Sequence, residues 1–92
     1  SNTPLQALMM LNDATFVECS HALADKMSQH SDVTDDCLEH GFVRVASRRP
    51  SPNELSALRD LHRACIDEGA TSTEALVAVA SVLLNLDEIT SK

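Results

Sequence analysis

At three places in these 92 residues a Ser or Thr is followed, three positions later, by Glu or Gln at the head of an apolar periodic run: Thr3 with Gln6, Ser51 with Glu54, and Thr71 with Glu74. Each pair has the form of a capping box, in which the two side chains satisfy N–H groups that the first turn of a helix leaves without partners. Pro4 and Pro52 follow two of these caps, at the position where a missing N–H costs nothing and a fixed φ suits the helix. Nothing alternates with period two for long enough to read as a strand. The sequence therefore predicts an all-α fold, a small bundle of four to five helices with mostly antiparallel neighbours, as one domain over residues 1–92.

The periodicity places the helices. The first runs from Pro4, and Asn12-Asp13 either kinks it or caps the next. From Ala14 to about Gln29, Phe16, Cys19, Leu23 and Met27 share one stripe, with Glu18, His21, Asp25 and Ser28 opposite. Thr34 is read as the cap of a helix whose Leu38, Gly41, Phe42 and Val45 point one way, and Arg48-Arg49-Pro50 ends it. The segment after Ser51 carries Leu55, Leu58, His62, Cys65 and Ile66 on its inner face and stops at Gly69. After Thr71, Val77, Val79, Val82, Leu83 and Leu84 leave few polar positions, which predicts the most buried helix of the set.

The opening helix is apolar on nearly every side. With Leu5 as zero, Leu8, Met9 and Phe16 cluster within about 60°, whereas Ala7, Met10 and Leu11 fall between about 140° and 240°. One bundle contact cannot bury both sets, so Ala7, Met10 and Leu11 are the expected interaction surface. They would face upstream parts of a larger protein or, in this chain, a second copy in a homodimer. The chain is accordingly expected to be the C-terminal fragment of a larger domain.

Composition excludes several classes. Seven Lys and Arg against fourteen Asp and Glu give a net charge of −7, which repels phosphate backbones and anionic lipid surfaces. With Phe16 and Phe42 as the only aromatic residues, stacking platforms for single strands are lacking too, so no nucleic-acid partner is expected. No apolar stretch approaches the roughly 20 residues that span a bilayer, and membrane insertion is not expected. Cys19, Cys37 and Cys65 are odd in number and widely spaced, which makes no disulfide framework.

Candidate chemistry is sparse. Cys37-x-x-His40 and His62-x-x-Cys65 have the spacing of two zinc-ligand pairs, but His40 falls nearly opposite Leu38 and Val45 on its helix, so no metal or other cofactor is expected. A Cys37–Cys65 disulfide is a further option if the protein is exported. His62, on an apolar stripe, reads as a core histidine whose burial lowers its pKa; His21 and His30 fall on polar surfaces, and His40 is read as solvated. Asp35-Asp36 and Asp87-Glu88 lie near helix ends, where carboxylates at an N-terminus complement the dipole, and no catalytic residue is assigned. Arg48, Arg49, Pro50, Ser51, Pro52 and Glu54 form the densest local signature, either a structural corner or an anion pocket built from Arg48, Arg49 and the next helix start, with Glu54 closing the cap.

Three segments carry a resemblance. Thr3-Pro4-Leu5-Gln6-Ala7-Leu8 through Leu11-Asn12-Asp13 and Phe16-Val17-Glu18, the corner Arg48-x-Pro50-Ser51-Pro52-x-Glu54-Leu55, and Leu83-Leu84-Asn85-Leu86-Asp87-Glu88 occur in that order. Together they resemble the C-terminal segment of a planctomycete-type domain of unknown function. Ile89 stands where that pattern usually shows Phe, and Ala14 where Pro is common. The resemblance implies a large exported bacterial protein, often with cytochrome-c-like domains, and hence an extracytoplasmic location. No Cys-x-x-Cys-His occurs here, so haem attachment does not transfer. The expected function is that of a noncatalytic structural or interaction module of such a protein. The alternative is a fragment of an exported enzyme or redox protein that supplies one wall of an active site located mostly upstream.

Overall fold

The computed structural model describes the backbone of residues 14–90 and the side chains of residues 14–86. The opening helix, with Ala7, Met10 and Leu11, and the Asn12-Asp13 junction lie outside the described residues. So do the side chains of Asp87, Glu88 and Ile89. Among the described residues the chain is all-α, with four helices: α1 Ala14–His30, α2 Thr34–Ala46, α3 Pro52–Asp67 and α4 Ser72–Thr90. The connectors are short, so successive helices reverse direction and pack as neighbours.

Local chemistry sets the helix boundaries. At α3, Ser51 Oγ accepts from the Glu54 N–H at 3.1 Å while Glu54 Oε1 accepts from the Ser51 N–H at 2.8 Å. Thr71 and Glu74 repeat that exchange at the head of α4, at 3.1 and 2.8 Å. The end of α3 is a Schellman arrangement: the Gly69 N–H donates to Ile66 O and the Ala70 N–H to Cys65 O, both at 3.0 Å. Gly69 takes φ +100°, a conformation L side chains rarely adopt, which is why glycine stands there. The start of α2 departs from expectation. Thr34 is the first helical residue, and Val33 occupies the cap with no side chain to donate to, so Ser31 Oγ accepts from the Val33 N–H at 3.0 Å instead.

α4 lies against all three other helices, α2 also touches α1 and α3, and α1 and α3 do not pack on each other. The core is built from Leu23, Ala24 and Met27 of α1, Cys37, Leu38 and Phe42 of α2, Leu58 of α3, and Ala75, Leu76, Val79, Ala80 and Leu83 of α4. α4 is thus the most buried described helix, and its alanines let its neighbours approach closely. At the crossing of α1 with α2, Gly41 has the same role. A Cβ built there would stand 2.5 Å from Met27 Sδ, and Met27 is fully buried.

Two faces are rotated from the expected stripes. On α1, Cys19 is exposed and Ser20 is buried, its hydroxyl donating to Phe16 O at 2.9 Å within the same helix. A small side chain whose hydroxyl is satisfied by the preceding turn serves a close contact better than a larger stripe residue would. On α3, Ile66 is 41% exposed, whereas Leu61, outside the expected stripe, packs against the core with Leu55.

Candidate functional site

Three recesses lie around α3. The largest of these, about 410 Å³, lies at the corner between α2 and α3 and is walled by Phe42, Val45, Ala46, Leu83 and Leu86, with Arg48 and Glu54 on its rim. The corner follows from α2 ending at Ser47, which adopts φ 61° and donates its N–H to Val43 O at 2.9 Å. That turn swings Arg48 over the Phe42 ring, 4.9 Å from its centroid. There the guanidinium grips Glu54 with both arms, Nη1 to Oε1 and Nη2 to Oε2 at 2.8 Å each, and Nη1 also donates to Arg49 O at 3.3 Å. Hydrogen bonds from Arg48 and from the Ser51 N–H pull the Glu54 carboxyl down to about 2. Of the donors an incoming anion would need, Arg48 and the Ser51 N–H are engaged by Glu54, and the Glu54 N–H by Ser51 Oγ. What the recess offers is therefore apolar area and shape.

The smaller recesses lie on either side of His62. One, about 190 Å³, is lined by Ser28, Ser31, Cys37, His62, Ser72 and Leu76 among others. The other, about 310 Å³, is lined by Thr34, Asp35, Arg59, His62, Arg63 and Ile66. His62 Nε2 is buried with no hydrogen-bond partner, and burial holds the imidazole below the usual histidine range. Cys37 donates its thiol to Ser31 O at 3.1 Å, and burial raises its pKa, so it is a thiol and not a nucleophilic thiolate.

The cysteines and histidines with zinc-like spacing form no metal-binding group. His40 is turned toward α1, where its ring stacks on His30 with centroids 4.0 Å apart and planes 6° from parallel. His40 is thus half-buried rather than fully solvated, and His30 has a partner. Among the described residues no group of three or more His, Cys, Asp or Glu side chains could hold a metal. Cys37, Cys65 and Cys19 are all free, so the Cys37–Cys65 disulfide is not formed.

Arg59 of α3 bridges to Asp35 in the first turn of α2, Nε to Oδ1 and Nη2 to Oδ2, both at 3.0 Å. The Arg59 guanidinium holds the Asp35 carboxyl below its ordinary value. The pair spans 24 residues, and no local pattern announces it.

A family model described as PSD1, protein of unknown function (DUF1553), matches residues 1–62 of the 92. The chain belongs to the DUF1553 family. The match takes in the opening run and the Arg48–Glu54 corner, two of the three segments that carried the resemblance, and stops at His62. The third segment, Leu83 to Glu88, lies beyond it. No curated protein and no solved structure matches the chain. Within this DUF1553 member, the corner recess joins both parts, since Phe42, Arg48 and Glu54 lie inside the matched residues and Leu83 and Leu86 outside.

Proposed function

We propose that this DUF1553 chain is a noncatalytic helical structural and interaction module of a larger exported multidomain protein. Its corner recess receives an apolar segment from the part of that protein that precedes it. The observation that carries this reading is the character of the recess. Phe42, Val45, Ala46, Leu83 and Leu86 supply apolar walls, and the polar groups on the rim are committed to each other. Such a surface recognises a complementary apolar shape; it has no free acid, base or nucleophile to offer a substrate. The extracytoplasmic location rests on the family resemblance, and self-association through an exposed apolar face is the same physics with a second copy as partner.

Leu86 is 47% exposed, so Leu86→Lys should leave the melting temperature of the chain alone nearly unchanged, as surface substitutions usually do. In the parent protein the same change should raise the susceptibility of this module to protease. Equal behaviour in both settings would count against docking at the recess.

The second reading, one wall of an active site completed by upstream residues, is favoured by His62, whose unpartnered Nε2 is buried between two clefts. His62→Gln in the parent protein would abolish activity under that reading and leave it intact under the first.

A further inference from the structure

The close crossing of α1 and α2 at Met27 and Gly41 brings together residues that flank it on both helices. Lys26 and His30 are one turn apart on α1, and His40 and Arg44 are one turn apart on α2. The stacked rings of His30 and His40 join the two pairs. His40 is held below the usual histidine range by burial first, and then by the positive charge of His30, Arg44 and Lys26. The two ion pairs among the described residues use Arg48 and Arg59, leaving Lys26 and Arg44 without a carboxylate. Of the acidic groups nearest in sequence, Asp35 is held by Arg59, Asp36 accepts the Ser31 hydroxyl at 3.3 Å, and Asp25, Asp32 and Glu39 make no ion pair. A chain of net charge −7 thus keeps, among the described residues, a cationic cluster with no ion-paired carboxylate.

We propose that Lys26, His30, His40 and Arg44 form a proton-gated site for a single tetrahedral oxyanion group, a sulfate or phosphate. Two permanent cations and two imidazoles stand on two crossing helices, a donor set that suits an anion with several acceptor oxygens around one centre. The chain's net negative charge repels a long polyanion, so the site fits one group, free or as a terminal ester. An anion seated beside the stacked rings and the cations relieves the repulsion that, after burial, holds His40 below its usual range. Proton uptake and anion binding therefore favour each other.

Inorganic sulfate is the informative probe because it stays dianionic across the range in which histidine titrates, so any pH dependence belongs to the protein. Imidazole carbon–proton spectra of the chain, titrated with sulfate against chloride at matched ionic strength, should show saturable shifts of His30 and His40 but not His21. Binding should be about tenfold tighter near pH 5.5 than near pH 7.5. Lys26→Ala and Arg44→Ala, both surface changes, should each weaken it several-fold with unchanged circular dichroism. His40→Gln should retain the weaker binding and flatten the pH dependence to what His30 alone supplies. A monosaccharide sulfate ester run in parallel distinguishes the sources: binding at equal affinity marks an esterified ligand, and binding of sulfate alone marks the free ion. Linear shifts matched by chloride, or affinity indifferent to Lys26→Ala and Arg44→Ala, would overturn the site.

Discussion

At the scale of single residues, Gly41 is where the fold is least forgiving. In an ordinary helix interior Gly→Ala gains about 1 kcal/mol, but here the added methyl would meet Sδ, Cε and Cγ of Met27 at 2.5, 2.8 and 2.9 Å. Overpacking a closed core costs about 1–3 kcal/mol, so Gly41→Ala should be destabilising by chemical denaturation. In a Met27→Ala background the same change should become neutral or stabilising; a clash-free explanation would show no such coupling. His62 and His40 are a second residue-scale case. Each has a folded pKa below its unfolded value, so the unfolded chain binds more protons in the window just under the ordinary histidine pKa. Their contribution is present above neutrality and lost as pH falls through that window. The melting temperature should drop between about pH 7.5 and 5.5, and the drop should shrink in His62→Gln.

Among the elements, the two capping boxes and the Gly69 stop were legible because their chemistry is local: each signal and its partner lie within five residues. Ser51→Ala should cost about 1 kcal/mol in a thermal melt, and Ser56→Ala, on the exposed side of the same helix, close to nothing. Glu54 adds a pH signature. Its folded pKa of about 2 lies below the ordinary carboxyl value, so the corner's contribution is present above about pH 4.5 and lost on descent toward pH 2. Helix faces were less legible. The α1 stripe drawn through Cys19 misses Ser20, because apolar periodicity cannot anticipate a hydroxyl that satisfies itself on the preceding turn. Of the site features, the corner was visible as a cluster of caps and cations. The recess above it was not, since Phe42 and Leu83 meet only once α4 folds back. The His30–His40 stack escaped for the same reason, being made by a helix crossing.

For the molecule as a whole, α2 and α4 each touch all the other described helices, and α4 supplies the largest share of the core. Leu83 is 2% exposed, and Leu83→Asp would bury an unpaired charge at a cost of several kcal/mol against a total stability of about 5–10. That variant should be largely unfolded at room temperature by circular dichroism, and a native-like melt would show that α4 is not central. The recess on the far side of Leu83 tests function most directly. A photo-crosslinking amino acid placed at position 86 of the parent protein, followed by peptide mapping, reports what covers Phe42, Val45 and Leu86. The expected product joins position 86 to an apolar segment preceding this chain. Crosslinks confined to the chain's own residues, or to a second copy, would contradict docking within a larger protein.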